Sequence, residues 1–156
     1  EANREPRLGG EPARLTLMFS DIAGFTSISE ALPPDRLAAA LGRYLETLTP
    51  LIQHETGGTV DKFIGDAIMA FWNAPEPVSD HARQACRAAL LCQEKGEALF
   101  VSPEWEGLPP FHTRIGIHTA EVLVGHFGSP ERMNYTALGD GVNLASRLEG
   151  INKVYG

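Results

Sequence analysis

The stretch Thr59–Trp72, TVDKFIGDAIMAFW, constrains this chain more than any other. Two apolar runs, Val60–Ile64 and Ala67–Trp72, flank Gly65-Asp66, a pair of turn-forming residues. Short strands on either side of such a pair predict a β-hairpin. The second run is apolar at every position, the pattern of a strand covered on both faces. Lys62, inside the first strand, and Asp66, at the turn, break the pattern. Either group is costly to bury unless it meets an opposite charge, and a solvated hairpin tip is the plain alternative.

A second strand carries the same anomaly. Leu15–Phe19, LTLMF, runs directly into Ser20-Asp21-Ile22-Ala23-Gly24-Phe25-Thr26. If this strand neighbours the hairpin, Asp21 and Asp66 converge at one sheet edge. Two such carboxylates repel unless cations lie between them, which points to a divalent metal. Gly24 permits a sharp turn after Asp21, so the following backbone N–H groups are candidates for binding phosphate.

The flanking sequence supplies helices. Pro33-Pro34 open a segment with Leu37, Leu41, Tyr44, Leu45, Leu48 and Ile52 on one face; Pro50 should kink it and Gly57-Gly58 should end it. A second helix is expected over Asp80–Leu99, capped by Ser79 or Asp80. Phe111–Thr119 and Val122–Gly128 read as another hairpin turned at Ala120-Glu121, with a polar, exposed tip at 128–133. A last helix is expected over Gly141–Ile151. The order β-α-β-β-α-β-β-α excludes an all-parallel sheet and favours an α+β fold, a ferredoxin-like antiparallel sheet with helices packed on it. Residues 1–13 read as a linker and 14–156 as one domain.

Composition narrows the functional classes. A net charge of −7 argues against a general nucleic-acid surface, which needs clustered Lys and Arg. The chain has only three lysines, so an isolated Lys62 stands out. Cys86 and Cys92 lie six apart on an expected helix and face different directions, as reduced thiols would. The five histidines show no metal-ligand spacing. No apolar run approaches the ~20 residues of a membrane span, and no signal peptide is evident.

Four motifs, FSDIAGFT, KFIGDAIMAFW, RIGIHTAEVLVG and NYTALGDGVNLASRLE, occur in this order and cover roughly residues 14–153. Together they resemble the class III nucleotide cyclase catalytic domain, close to bacterial adenylyl cyclases. That resemblance implies conversion of ATP to 3′,5′-cyclic AMP and pyrophosphate. It implies two Mg²⁺ or Mn²⁺ ions per site, held at Asp21, Ile22 and Asp66, with the backbone of Ile22, Ala23, Gly24, Phe25 and Thr26 around the β- and γ-phosphates. Lys62 falls on the family's base-selecting lysine and Thr136 on its companion position, which favours adenine. Thr136 by itself is equally a β-former ahead of a loop. Asn143 and Arg147, four apart and on one helix face, fall on the residues that orient the ribose and meet charge on the α-phosphate.

The resemblance further implies a homodimer with each site shared between subunits, a cytoplasmic setting and an upstream sensor or membrane domain. Three departures stand out. Ala120 replaces a frequent glycine at the expected hairpin turn, and Glu121 replaces a phosphate-binding arginine of some members. The family continues beyond the equivalent of Gly156, through strands that carry a triphosphate-binding lysine, so a C-terminal part is expected to be missing. Alternatives are a guanylyl or mixed-specificity cyclase, or a catalytically silent nucleotide-binding regulatory module.

Overall fold

The structure, a computed structural model, describes residues 8–155. The elements are β1 (Gly9–Ile22), α1 (Phe25–Ala31), α2 (Pro34–Pro50), β2 (Thr59–Ile64), β3 (Ala67–Trp72), α3 (His81–Phe100), β4 (Thr113–Ser129), β5 (Arg132–Leu138) and α4 (Asp140–Tyr155). The five strands form one sheet in the order β2-β3-β1-β4-β5, antiparallel throughout. This is the expected α+β, ferredoxin-like sheet with helices packed on it.

Strand alternation divides the core into two layers. Met18 and Ile22 of β1 join Ile68, Ala70 and Trp72 of β3 under helices α2 and α3, against Tyr44, Leu48, Ala85 and Ala88. Leu15 and Leu17 face the other way, with Met69, Phe71, Val122, Val124, Ala137 and Ala145 of α4. Each large side chain removed from water in these layers contributes about 1.5–3 kcal/mol. β3 is buried from Ile68 to Trp72, as its uninterrupted apolar run requires.

Helix α2 gives way after Pro50 to a wider π-helical turn over Leu51–Glu55. A proline there cannot donate its backbone hydrogen bond, which accounts for the expected distortion. The chain then reverses at Gly57, whose φ of 72° lies in the left-handed region. Cys86 is exposed and Cys92 buried, and both are free. No helix among the described residues is long and apolar enough to cross a membrane.

Two expectations fail. No turn forms at Ala120-Glu121: β4 runs unbroken from Thr113 to Ser129 and pairs with β1 from Ile22 back to Gly9. Ala-Glu has no preference for left-handed backbone, and β1 supplies partners along the whole length. Ala120 therefore sits in mid-strand opposite Leu15, not at a turn. The hairpin lies instead in the polar tip, between Ser129 and Arg132. Residues 9–13 are strand rather than linker; residues 1–7 lie outside the described residues. Pro12 is tolerated because β3 pairs with β1 only over Thr16–Ser20, leaving that edge of β1 open.

Candidate active site

The pairing of β1 with β3 sets Asp21 beside the β2–β3 turn. Asp66 follows Gly65, which takes a φ of 60° in that turn. Asp66 Oδ2 accepts a hydrogen bond from the Ile22 backbone N–H at 2.8 Å. The two carboxylates thus meet at adjacent strand ends. A cleft of about 390 Å³ is lined by both of them, by Ile22, Gly24, Phe25 and Thr26, and by Arg114 and Lys153. The Ile22 N–H is engaged by Asp66, and the Ala23 N–H donates to the His112 carbonyl at 2.7 Å. Of the segment expected to meet phosphate, Gly24 through Thr26 lines the cleft, with those two amides already committed.

Arg114 lies directly across from Asp21 in the β1–β4 register. Its Nε donates to Oδ1 at 2.9 Å and its Nη2 to Oδ2 at 3.1 Å. Glu149 of α4 approaches the same guanidinium, with Oε1 3.6 Å from Nε. Burial, followed by the hydrogen bond and charge of Asp21, pushes the Glu149 carboxyl up to about 7. Helix α4 comes this close because Gly116 carries no side chain: a Cβ there would lie 2.2 Å from the Glu149 backbone nitrogen. Asn152 Nδ2 fastens the helix by donating to the Ile115 carbonyl at 3.1 Å.

A second polar cluster forms where β5 lies over the other layer of the core, with Tyr135 6.2 Å from Phe71, centroid to centroid. There the Thr136 hydroxyl donates to Asp61 Oδ2. Lys62 Nζ stands 3.8 Å from Asp61 Oδ1. Lys62 and Thr136, 74 positions apart by their numbers, are therefore brought to one place through Asp61. Lys62 is not the buried lysine that the strand pattern suggests. Its side chain is 44% exposed on edge strand β2, and the buried charge is its neighbour Asp61, 1% exposed.

Asn143 and Arg147 are exposed and lie two positions either side of buried Ala145, on the face of α4 turned away from the sheet. Neither lines the cleft of Asp21 and Asp66. A larger cleft of about 530 Å³ lies between the start of β1, the end of β4 and Asn73–Pro75; Glu11 is the one carboxylate in its lining.

Arg114, Glu149 and Asp61 were not among the residues expected from the sequence. Glu149 had a signal: it stands four after Ala145 on the helix face that meets the sheet. Asp21, Asp66 and the Ile22 carbonyl are hard oxygen donors of the kind that Mg²⁺ and Mn²⁺ prefer. Among the described residues no three acidic, His or Cys side chains cluster as a closed metal cage. An open pair of carboxylates fits ions that retain waters and bind substrate phosphates.

Comparison with known proteins gives this geometry a context. Residues 11–154 match the family model for the adenylate and guanylate cyclase catalytic domain. The chain is 46% identical over 151 residues to adenylate cyclase 1 of Rhizobium meliloti, covering 95% of this chain and 23% of the relative. It is 39% identical to the adenylate cyclase of Anabaena cylindrica, over 92% of this chain and 28% of that protein. It thus spans about a quarter of the length of these curated relatives. The crystal structure of the adenylyl cyclase CyaB from P. aeruginosa superposes with a TM-score of 0.85 at 37% identity, covering 92% of this chain and 74% of that one. The guanylyl cyclase Cya2 superposes with a TM-score of 0.82 at 36% identity, over 92% and 72% of the two chains. With the family model matched over residues 11–154 and solved cyclases superposing on 92% of its length, the chain belongs to the adenylate and guanylate cyclase catalytic domain family.

Proposed function

We propose that this chain is the catalytic domain of an adenylyl cyclase that converts ATP to 3′,5′-cyclic AMP and pyrophosphate at a homodimer interface. The observation that carries the proposal is the convergence of Asp21 and Asp66 on one cleft beside Gly24–Thr26. In the reaction the ribose 3′-oxygen bonds to the α-phosphorus, the bond from that phosphorus to the β-phosphate oxygen breaks, and the hydroxyl proton and pyrophosphate are released. Two bound Mg²⁺ or Mn²⁺ ions would supply charge neutralisation at the triphosphate and a lowered hydroxyl pKa.

The chain's own groups then have separable tasks. Asp21, the Ile22 carbonyl and Asp66 hold the metals, with Arg114 orienting Asp21. Gly24, Phe25 and Thr26 form the wall against the β- and γ-phosphates. Lys62 donates to adenine N1 and Thr136 accepts from the 6-amino group. Asn143 orients the ribose and Arg147 meets the α-phosphate charge, these two and the base-reading Lys62 and Thr136 coming from the subunit that faces the metal-holding aspartates. The exposure of Asn143 and Arg147, and their absence from the lining of the acidic cleft, suit that division. An upstream sensor or membrane domain and a cytoplasmic setting complete the reading.

Solved adenylyl and guanylyl cyclases superpose on this chain about equally well, so base choice rests on Lys62 and Thr136. The test is turnover of ATP beside GTP with Mn²⁺, in the full-length protein. ATP should be the preferred substrate, and Lys62→Glu should lower its kcat/KM by a factor equivalent to about 2–4 kcal/mol. Preference for GTP, or indifference of ATP turnover to Lys62→Glu, overturns the assignment. Binding of nucleotide without product identifies a silent regulatory module instead.

A further inference from the structure

Asp61 is a buried carboxylate beside the base-reading pair, and it occupies an irregular place in the sheet. The β2–β3 ladder pairs Val60 with Ala70 and Lys62 with Met69, so Asp61 is an extra residue in a bulge. A bulge re-aims a side chain, and this one turns Asp61 inward until 1% of its side chain remains exposed. Oδ2 accepts the proton of the Thr136 hydroxyl. Oδ1 is buried without any hydrogen bond and lies 3.8 Å from Lys62 Nζ. A buried carboxylate with one oxygen unpartnered is a poor way to stabilise a sheet edge.

Resting on the adenylyl cyclase reading, we propose that Asp61 is a specificity-determining positioning residue that fixes the polarity of Thr136 toward the purine. A hydroxyl has one proton to donate and two lone pairs to accept with, so a free threonine meets a 6-amino or a 6-oxo group equally well. An ionised carboxylate only accepts. Once the Thr136 proton is committed to Asp61, the hydroxyl can present only lone pairs to the substrate. The amino group of adenine donates to them; the oxo group of guanine faces them without a proton between. Asp61 thereby makes an ambivalent side chain selective, and its free oxygen holds the Lys62 ammonium near the same base. Threonine at position 136 then does by relay what a carboxylate there would do directly.

The experiment is Asp61→Asn in the full-length protein. The amide preserves shape, but Lys62 attracts its oxygen and turns its NH₂ toward Thr136, which frees the threonine proton to point outward. The preference for ATP over GTP in kcat/KM should fall about tenfold, with KM for GTP falling as KM for ATP rises. In a Thr136→Val background the same substitution should leave the preference unaltered, because no hydroxyl remains to be oriented. If Thr136→Val lowers the preference but Asp61→Asn does not, Thr136 reads the base without Asp61 and the inference is overturned. Equal loss for both nucleotides in Asp61→Asn also overturns it, as a structural effect. If neither substitution changes the preference, Thr136 does not read the base, and the adenine-reading assignment falls as well.

Discussion

Arg114 and Asp21 form a two-pronged pair across the β1–β4 ladder, Nε to Oδ1 at 2.9 Å and Nη2 to Oδ2 at 3.1 Å. The guanidinium also stands between Asp21 and Glu149, so its removal leaves two partly buried carboxylates facing each other. Arg114→Met should destabilise the metal-free protein by about 2–3 kcal/mol at pH 7.5, and by less at pH 5, where Glu149 takes up a proton. Urea unfolding at the two pH values checks this; an equal loss at both would show that the charges do not communicate.

Glu149 yields a pH dependence of unusual direction for a carboxylate. Its folded value of about 7 lies above the ordinary 4.5, chiefly through burial. Between those values the folded state binds more protons than the unfolded one, so stability falls as pH rises through that window. Glu149→Gln cannot ionise and should flatten that slope. At pH 8 without metal it should melt about 2–4 °C above the parent, while near pH 4.5 the two should coincide. Thermal melts across the window decide it.

Two glycines near α4 should respond in opposite ways to alanine. At Gly116 a Cβ would meet the Glu149 nitrogen at 2.2 Å and the Ala145 carbonyl at 2.6 Å, both backbone atoms that cannot step aside. Gly116→Ala should cost about 2–3 kcal/mol and displace the helix from the Asp21 cleft. Gly150, within α4 and with nothing inside 4 Å, should gain about 0.5–1 kcal/mol as alanine. Denaturant titration of both variants measures the contrast.

The acidic pair and the helix pair can be separated by mixing. Asp21→Ala or Asp66→Ala should each leave less than about 1% of activity, because the groups proposed to hold the metals would be incomplete. Arg147→Ala alone should also be nearly inactive. In the proposed homodimer, equal mixing of Asp21→Ala with Arg147→Ala should give roughly half heterodimers, each with one intact and one doubly broken site. Activity should recover to about a quarter of the parent under two-fold pairing. A mixture that exchanges subunits and stays inactive would place the whole site within one chain.

Much of this architecture is legible from residue order because local pattern and tertiary environment agree. The AIMAFW run, the Gly65-Asp66 turn and the α2 face each satisfy a single requirement, burial or reversal, and each is found in place. The Ala120-Glu121 turn was misplaced because β4 alternates between two different neighbours. Ile115 and Ile117 face one core layer, Val122 and Val124 the other, and a shift of phase along a continuous strand looks like an interruption. The exposure of Lys62 was not legible because a bulge at Asp61 breaks the alternation of β2, so a regular period of two does not tell which of the two side chains turns inward. Arg114 and Glu149 acquire meaning only from Asp21, from which they are separated by most of the chain.

The pairing of β1 with β4 has a consequence for how the chain comes into being. Thr16 and Thr119, joined by their hydroxyls at 2.8 Å, are 103 residues apart. During synthesis the LTLMF strand emerges early, yet its β4 neighbour is not made until most of the domain has left the ribosome. Such late closure makes folding slow relative to a chain of local contacts. In the interval an apolar strand edge stands open, the kind of surface that recruits chaperones or pairs with another copy. The central strand that aims Asp21 at the cleft thus stays open on its β4 side long after its β3 side can pair.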